Sequence, residues 1–460
     1  MANPQHDSYD AVIIGAGLSG LSAGIRLSQF FKRVLIVESH KIPGGLNSYY
    51  ERGKPRQLFS SGLHTVTNAR VTSRKWGLGL IARNLGIRAD DFQIHPPLTS
   101  SRITTPAASV RFSNDPRMLA DEITRAFPDS GEAFRTFEER MVELTADPAA
   151  SRAGALEFLH SHFKKPELAD LLALPVFTYA GYSRGDIDLR TFALLYRSIF
   201  LDGCGSPVDM KAFLELLVNR FLENGGELCY RAPVDSILHE EGKVRGIRLR
   251  SGEEIQSPYV LSSAGLAETG NLAGLSLGKP GTVSLFQAAC SYAEPLASYG
   301  VGDAIHFLSR KAKLDWTFDR EEELFGILTF SAQDQYAFES GKHQFKASCF
   351  DRMEFWKDLD KHAYRARKEE RSSRLMGLAA EVYPGLAKAE PLLVDSFTPR
   401  TITRYTSHIN GTLYGGEEKA FDGRTPVRNL LIIGNDQGGI GIMGALTSGI
   451  LVANYSVLVG

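Results

Sequence analysis

The chain has 460 residues, of which 43% are hydrophobic and 23% are charged, and its formal net charge is -1. This composition is typical of a globular protein, and a near-neutral chain offers no strongly basic face, so we expect no nucleic acid as a partner. The length exceeds what one hydrophobic core supports, which predicts at least two domains. The four cysteines are scattered without the spacing of a zinc or thiol redox site, so we expect no metal.

The amino terminus lacks the features of a targeting segment. Its first ten residues are polar and carry no positive n-region, and the apolar run that follows is short and leads into glycines. No stretch reaches the roughly 18 apolar residues of a membrane span. We therefore expect a cytoplasmic protein, and contact with a membrane surface stays open.

The segment after these residues has the pattern of a dinucleotide-binding unit. A buried strand, YDAVII, runs into GAGLSG, whose glycines are Gly15, Gly17 and Gly20. In such units the first glycine allows a tight turn, the second lets a pyrophosphate approach the backbone, and the third lets the helix pack on the strand. The helix would begin near Leu18 and Ser19, where its N–H groups and dipole attract phosphate.

A second strand, RVLIV, ends in Glu38, about 20 residues after the glycines. A carboxylate there accepts hydrogen bonds from the ribose hydroxyls of an adenosine, whether the cofactor is NAD or FAD. The next residues contain the pair Gly44–Gly45, which lets the chain fold back over a diphosphate. Such a pair resembles the fingerprint of FAD-binding amine oxidases and phytoene desaturases, and it favours FAD. The predicted cofactor contacts of this segment are Glu38, Ser39, Gly44, Gly45, Leu46 and Asn47.

Two later segments repeat the alternation of strand and helix. The pattern over residues 207–279 predicts an amphipathic helix, a strand, a meander and a buried strand, YVLSSA. Val234 in this block would offer backbone groups to the adenine, with core packing as the alternative. Near the carboxyl end, the strand NLLIIG runs into a loop and a helix that begins near Gly441. Asp436, Gly441 and Ile442 are the predicted contacts of the ribityl chain and flavin, with helix capping as the alternative.

These blocks predict an α/β fold: a glutathione-reductase-type, Rossmann-like FAD domain with an interleaved mixed α+β substrate domain, by analogy of pattern. The FAD domain is assigned to residues 8–91, 207–279 and 401–460, and the substrate domain to a mostly helical region, 92–206, and a mixed region, 280–400. Phe177, Tyr179 and Tyr182 are candidates to line a lipid tunnel, with aromatic core packing as the alternative. A basic run, KHAYRARKEERSSR, is a solvated helix face or a contact for anionic lipid headgroups.

Several motifs together resemble the phytoene desaturase, carotenoid isomerase and retinol saturase group of FAD enzymes. They are GAGLSGLSAG, IPGGLNS, LFSSGLHTVT, FTPRTITRYTSHINGTLYGG and GNDQGGIGIMGALTSG. Ser60 departs from the group, which commonly has an acid at this position, so a role borrowed for that acid does not transfer. The resemblance covers the FAD framework better than the substrate regions. The carboxyl-terminal flavin segment has no cysteine, so we expect FAD to be bound non-covalently.

The resemblance implies hydride exchange between flavin N5 and a C=C or CH–CH bond of an apolar polyene or lipid: a carotenoid, a retinoid or an unsaturated acyl chain. His64 is the candidate to relay a proton or to bind a polar end of the substrate, with a packing histidine as the alternative. Tyr414 is the candidate to face the flavin, with loop packing as the alternative. No second strand–GxGxxG–helix unit is evident, so electrons would pass to or from oxygen, a quinone or a separate reductase.

Three other functions stay open at this point. The first is a redox-neutral isomerase or hydratase that uses reduced FAD. The second is a non-catalytic prenyl-binding protein, against which the intact glycines and Glu38 argue. The third is an amine or amino-acid oxidase, which needs a substrate-binding arginine or an aromatic cage that the sequence does not identify.

Overall fold

The computed structural model describes residues 4–69, 77–146, 153–180, 186–316, 318–333, 343–416 and 418–459. The strands in chain order are β1 (Ala11–Ile14), β2 (Val34–Glu38), β3 (Tyr49–Arg52), β4 (Gln57–Ser60), β5 (Val66–Thr67), β6 (Ile94–His95), β7 (Ser101–Thr104), β8 (Ser109–Phe112), β9 (Cys204–Pro207), β10 (Glu227–Tyr230), β11 (Val234–Glu240), β12 (Lys243–Leu249), β13 (Glu254–Gln256), β14 (Val260–Ser262), β15 (Ser284–Tyr292), β16 (Ile305–Ser309), β17 (Ile327–Gln333), β18 (His343–Asp351), β19 (Leu393–Phe397) and β20 (Leu430–Ile432). The α-helices are α1 (Leu18–Ser28), α2 (Gly77–Leu85), α3 (Pro116–Ala126), α4 (Gly131–Ala146), α5 (Ala155–His162), α6 (Pro166–Ala180), α7 (Leu189–Tyr196), α8 (Met210–Glu223), α9 (Leu266–Ala273), α10 (Lys361–Val382), α11 (Pro399–Thr406) and α12 (Gly441–Val452).

A five-stranded parallel sheet in the order β10-β2-β1-β14-β20 forms the first domain. Its strands are nearly all apolar because both faces are covered. On one face Ile13 and Ile36 pack against α1, α8 and α12. On the other face Val12 and Leu35 pack against the antiparallel meander β11-β12-β13. The α/β fold with a Rossmann-like domain, predicted from the sequence, is confirmed.

A seven-stranded mixed sheet in the order β19-β15-β18-β17-β16-β7-β8 forms the second layer. Its pairs are antiparallel except β16 and β7, which run parallel. Phe286 and Ala288 of β15 face the hydrophobic core that the helices α3 to α7 cover. The alternate residues of the same strand, among them Gln287 and Ser291, face the FAD domain. β7 and β8 belong to the mostly helical region, 92–206, and they pair within the same sheet as strands of the mixed region, 280–400. The two regions therefore share one sheet.

The hairpin of β3 and β4 joins the two layers. Ser291 donates a hydrogen bond to Gln57 Oε1 of β4 (2.6 Å), and Gln344 Nε2 donates to the backbone oxygen of Leu58 (2.5 Å). Lys346, two residues further along β18, reaches the end of β4 in the same way. The polar face of the seven-stranded sheet is therefore partly covered by β4 and open beyond it.

The last helix reaches the length and composition of a membrane span, which the sequence was expected to contain nowhere. α12 continues as a π-helical segment, Ala453–Leu458, and Gly441–Leu458 is the one helix in the described part of the chain that could cross a membrane by length and composition. Half of that window is buried inside the protein. Its residues Leu446 and Ile450 belong to the same hydrophobic core as α1, so α12 is a core helix of the FAD domain.

Candidate active site

The turn between β1 and α1 is shaped by its glycines. Gly15 has a φ of 98°, which favours glycine, and a methyl group on Gly20 would overlap the carbonyl oxygen of Gly15. A methyl group on Gly17 would meet no atom of the described chain within 4 Å, so the space above Gly17 is open. α1 begins at Leu18 without a side-chain cap from any described residue. The open side of Gly17 and the amino terminus of α1 suit a diphosphate.

Glu38 lies at the end of β2, beside this turn. Its Oε2 accepts a hydrogen bond from the backbone N–H of Ala16 (2.7 Å), and its Oε1 accepts one from the backbone N–H of His40 (2.7 Å). The Ser39 hydroxyl also donates to Oε1 (3.3 Å). These contacts fix a carboxylate that is 8% exposed. Oε2 keeps a further lone pair, so Glu38 can accept a hydrogen bond from a ribose hydroxyl while it holds the turn.

The paired glycines fold back over the first turn. The backbone N–H of Gly44 donates to the carbonyl oxygen of Ala16 (2.8 Å), and Gly44 also forms a parallel bridge with Gly17. A methyl group on Gly45 would lie 3.7 Å from the Cα of Gly17. The two glycine segments thus form one surface, on which a diphosphate can contact the backbone from both sides.

The carboxyl-terminal segment meets the same region from the other end of the chain. A methyl group on Gly434, just after β20, would lie 3.0 Å from the Oγ of Ser19 in α1. Gly441 begins α12 with a φ of 68°, and a methyl group there would overlap the hydroxyl of Tyr179. Segments more than 400 residues apart in sequence therefore enclose one site, and Tyr179 packs directly on the start of α12.

Asp436 holds this segment to the protein and does not line the cavity. Its Oδ2 accepts from the backbone N–H of Leu266 (2.6 Å), and its Oδ1 accepts from the backbone N–H of Gly416 (2.8 Å) and from Lys419 Nζ (3.2 Å). The side chain is 2% exposed. The neighbouring Asn435 lines the cavity instead. A contact between Asp436 and the ribityl chain stays a prediction.

A cavity of about 1200 Å³ extends from Glu38 to the seven-stranded sheet. Small-molecule sites commonly measure roughly 300–1,000 Å³, so there is room for a large ligand or for two. The predicted site residues that line it are Glu38, Gly45, Leu46, Asn47, His64, Tyr414, Gly441 and Ile442. The remaining predicted residues, Gly15, Gly17, Leu18, Ser19, Gly20, Ser39, Gly44, Val234 and Asp436, do not line it, although the glycine turn adjoins Gly45.

Unpartnered buried polar atoms are concentrated around this cavity. Among the described residues, six side chains that line it have a buried polar atom without a hydrogen-bond partner: Tyr50 Oη, His64 Nε2, Thr65 Oγ1, Thr178 Oγ1, Tyr179 Oη and Gln287 Nε2. Buried polar groups are normally satisfied, so such a cluster indicates polar ligand atoms in the cavity. The open space above Gly17 fits the diphosphate of a long cofactor such as FAD, and the unpartnered atoms fit polar atoms of that cofactor and of a second ligand in the same cavity.

His64 lines the cavity and stands next to a buried lysine. Lys346 is 0% exposed, and its Nζ contacts the backbone oxygens of Ser60 and Gly62 (both 2.8 Å) and the Ser60 Oγ (2.6 Å). Burial lowers the pKa of Lys346 to about 7. Burial, and then the charge of Lys346, hold the pKa of His64 well below its usual range. His64 is therefore a neutral imidazole at physiological pH.

Tyr414 lines the cavity, and its neighbour Leu413 is hydrogen-bonded to Val283 just before β15. Its hydroxyl donates a hydrogen bond to the backbone oxygen of Thr178 (3.1 Å), and burial raises the pKa of Tyr414 above its usual range. The side chain therefore stays protonated. It packs close to Tyr179, whose charge in the ionised form is the second cause of that raised pKa.

The structure separates the remaining candidates. Tyr179 lines the cavity, whereas Phe177 is buried in the core and stacks on Trp316, with ring centroids 5.3 Å apart. Tyr182 lies outside the described residues. Val234 is half-buried at the start of β11, two residues after Ala232, whose N–H donates to the Glu38 backbone oxygen (2.9 Å). Its predicted contact with the adenine stays a prediction.

The sequence analysis missed two residues of β15 and β18. Gln287 and Lys346 carry polar atoms on the face of the sheet toward the FAD domain, and both are at most 1% exposed. In the sequence they are isolated polar residues within apolar strands. The one feature that could have indicated them is the alternation of side chains along a strand, which places both on the face opposite Phe286 and Phe345.

The chain is similar over most of its length to enzymes of known activity. Prolycopene isomerase of Arabidopsis thaliana is 24% identical over 505 residues, which cover 97% of this chain and 82% of that protein. All-trans-retinol 13,14-reductase of Danio rerio is 23% identical over 530 residues, which cover 97% of this chain and 86% of that protein.

Among solved structures, an oxidoreductase of Methanosarcina mazei shares the fold, with a TM-score of 0.66 and 18% identity over 96% of this chain and 99% of that one. The model of the FAD dependent oxidoreductase family matches residues 10–455. That match spans the glycine turn, Glu38 and the start of α12. The chain belongs to the FAD dependent oxidoreductase family, and it is an enzyme whose cofactor is FAD.

Proposed function

We propose that this enzyme acts on C=C or CH–CH bonds of an apolar polyene or lipid, such as a carotenoid, a retinoid or an unsaturated acyl chain. The observation that carries this proposal is the chemistry of the buried cavity lining. Besides tyrosine and cysteine, its buried titratable side chains among the described residues are Glu38 and His64. Apolar side chains such as Leu285, Phe307 and Phe350 make up the wall on the seven-stranded sheet. This environment suits a hydrocarbon chain.

The names of the two relatives support the same class of substrate, since prolycopene and retinol are both polyenes. An amino-acid oxidase would need a cation to hold the substrate carboxylate. The arginines that line the cavity, Arg52, Arg56, Arg400 and Arg404, are all exposed to solvent and lie at its mouth. The buried part therefore suits a neutral substrate better than an amino acid.

Bound FAD would supply hydride exchange at its N5 atom. The glycine turn and Glu38 would hold the dinucleotide, and the start of α12 at Gly441 and Ile442 would bind near the flavin ring. His64 is neutral, so it can accept one proton and pass it on, or bind a polar end of the substrate. Tyr414 stays protonated and shapes the cavity. Electrons would pass to or from an external partner: oxygen, a quinone or a reductase.

We also infer contact with a membrane surface, because an apolar substrate resides in lipid. Arg400 and Arg404 of α11 are exposed at the mouth of the cavity. Tyr405 beside them is 41% exposed, and Leu392 and Val394 at the edge strand β19 are 46% and 49% exposed. Cations beside apolar side chains suit an anionic lipid surface. The basic run of α10 is less suited, because two of its arginines pair with acids of the protein.

A redox-neutral isomerase that uses reduced FAD is the second candidate. The relative from Arabidopsis thaliana is named an isomerase, whereas the one from Danio rerio is named a reductase. Both activities need an apolar cavity beside the flavin. The geometry of the site supports both equally, so the mass of the product decides between them.

The test begins with the visible spectrum of the purified protein, which should show bound flavin. Anaerobic incubation with candidate polyenes and unsaturated acyl lipids then follows, with mass spectrometry of the products. A shift of two hydrogens indicates desaturation or saturation, and an unchanged mass with altered retention indicates isomerisation. A flavin-loaded protein that changes no polyene or acyl chain, in either redox state of the flavin, would contradict the proposed substrate class.

A further inference from the structure

A row of polar side chains crosses the substrate wall of the cavity. Gln287 of β15, Ser348 of β18 and Thr329 of β17 stand side by side in register on three adjacent strands. They are 1%, 4% and 6% exposed, and all three line the cavity. The next position in the same row is Phe307 of β16. An otherwise apolar wall therefore contains one polar line.

Gln287 is the member of this row with an unpartnered polar atom. Its Oε1 accepts a hydrogen bond from the Ser348 hydroxyl (3.2 Å), and its Nε2 points away from Ser348. Its Nε2 has no partner among the described residues, although the side chain is almost fully buried. An amide N–H left without an acceptor in a buried site is costly, so its natural partner is an atom of a ligand.

Other polar side chains on the same face of the sheet show what distinguishes this position. Ser291 and Gln344 lie where β4 covers the sheet, and both are hydrogen-bonded to β4. Lys346 is likewise bound to Ser60 and Gly62. Gln287 lies beyond the end of β4, where the cavity begins. Among the described polar side chains on this face, Ser331 of β17 and Gln287 each keep an unpartnered buried polar atom, and of these two Gln287 alone lines the cavity.

The surroundings of Gln287 define the charge of the ligand atom. Ser348 and Thr329 are uncharged, and the buried part of the described lining has Glu38 as its one buried carboxylate, held by Ala16 at the dinucleotide end. Lys346 does not line the cavity. Burial of a carboxylate or phosphate against one neutral donor would be unfavourable. The acceptor that suits this site is an uncharged oxygen.

We propose that Gln287 is a specificity-determining residue, and that its Nε2–H donates a hydrogen bond to an uncharged oxygen, such as a carbonyl, carried by the apolar substrate. This inference rests on the proposed function, and it narrows the substrate from hydrocarbons to oxygen-bearing polyenes. Ser348 is a positioning residue, since it holds the amide through Oε1. Thr329 lies within the same row, next to Ser348.

The test compares three ligands with the same conjugated chain: a C20 polyene aldehyde, the corresponding alcohol, and the hydrocarbon that has a methyl group in place of the oxygen function. Their dissociation constants are measured with the flavin-loaded enzyme, from the perturbation of the flavin spectrum. We expect the aldehyde to bind about tenfold more tightly than the hydrocarbon, since a buried donor is satisfied by one and left open by the other.

The decisive variant is Gln287→Met, which removes the amide at nearly the same length. It should abolish the preference, because aldehyde binding loses the hydrogen bond and hydrocarbon binding no longer leaves an amide donor open. Gln29→Met, the same replacement at an exposed glutamine outside the cavity, should leave the preference intact. Should Gln287→Met fail to fold or to bind FAD, Gln287→Asn keeps an amide but retracts the donor by one methylene, and it should reduce the preference.

The outcomes separate this inference from the proposed function. Equal binding of aldehyde and hydrocarbon by the unaltered enzyme would overturn the inference and leave the proposed function standing. A preference for the aldehyde or the alcohol over the hydrocarbon that survives in Gln287→Met would overturn it as well. Failure of all three ligands to bind the flavin-loaded enzyme would count against the proposed polyene class and therefore against both.

Discussion

Two glycines of the first turn differ in what an added methyl group would meet. On Gly17 it would enter open space, where we place the diphosphate, and on Gly20 it would overlap the backbone of Gly15. We expect Gly17→Ala to weaken FAD binding while the unfolding free energy of the FAD-free protein stays within about 0.5 kcal/mol. Gly20→Ala should lower that free energy by about 1–3 kcal/mol and weaken FAD binding too. Denaturant unfolding and FAD titration measure both.

Gly225→Ala serves as the control for that pair, because Gly225 ends α8 away from the turn and a methyl group there has no described neighbour within 4 Å. Its φ of 83° disfavours other residues, so a small loss of stability is expected, with no loss of FAD affinity. Unchanged FAD binding in Gly17→Ala would show that the diphosphate does not approach this glycine.

Lys346 predicts a pH dependence of stability. Its pKa is about 7 in the folded protein and near 10.4 in an unfolded chain, so between these values the unfolded chain binds more protons. The free energy of unfolding should therefore rise as the pH increases from 7 to about 10, by at most about 1.4 kcal/mol per pH unit. Denaturant unfolding at several pH values measures the slope.

Two variants of this contact provide the controls. Lys346→Met removes the titrating group, so the rise above pH 7 should disappear. Ser60→Asp places a carboxylate beside the Nζ, and it should raise the pKa of Lys346 and flatten the same slope. A slope that persists in both variants would mean that another group titrates.

At the scale of elements, Asp436 joins two segments, the start of α9 and the loop around Gly416, to the loop before α12. Replacement by Asn puts an amide NH₂ against the N–H groups of Leu266 and Gly416, so one buried donor loses its acceptor. We expect Asp436→Asn to lower the free energy of unfolding by about 1–3 kcal/mol. Asp422→Asn, at an exposed position of the preceding loop, should have little effect. Thermal and denaturant unfolding of the FAD-free protein provide the measurement.

The same variant tests the sequence-based role of Asp436. If Asp436→Asn weakens FAD binding strongly and leaves the stability of the FAD-free protein unchanged, the carboxylate contacts the cofactor directly. The hydrogen bonds of Asp436 predict a different result. The FAD-free protein should lose stability, and any loss of FAD affinity should be a consequence of that loss.

The dinucleotide-binding elements were predictable because their requirements are local. Gly15, Gly17 and Gly20 lie within one turn, and Glu38 follows at the end of the next strand, so spacing alone carries the information. Lys346 and Gln287 could not be predicted in this way. Lys346 contacts Ser60, and Gln287 faces the open cavity, because β4 covers only part of the seven-stranded sheet. No local pattern in β15 or β18 encodes where that cover ends.

At the scale of the whole molecule, the mouth of the cavity predicts electrostatic membrane binding. The protein should co-sediment with vesicles that contain anionic lipid more strongly than with zwitterionic vesicles, and added salt should release it. Each exposed cation at the surface contributes about 1 kcal/mol, so Arg400→Gln with Arg404→Gln should weaken binding by roughly one order of magnitude or more. Arg83→Gln with Arg140→Gln, at exposed sites away from the mouth, is the matched control. Equal binding of both double variants would place the contact elsewhere.

The hydrogen bond between Gly44 and Ala16 closes the turn where FAD would bind. We therefore expect the stability of the protein, and with it the amount of protein in the cell, to depend on the supply of flavin. The Gly44–Ala16 contact lies on the surface where the diphosphate would bind, so bound FAD should stabilise the closed form of this turn. A chain made during riboflavin shortage lacks the stabilisation that bound FAD contributes by mass action. Its first turn then opens more often and is exposed to proteases, so the steady-state level of the enzyme should follow the flavin content of its host.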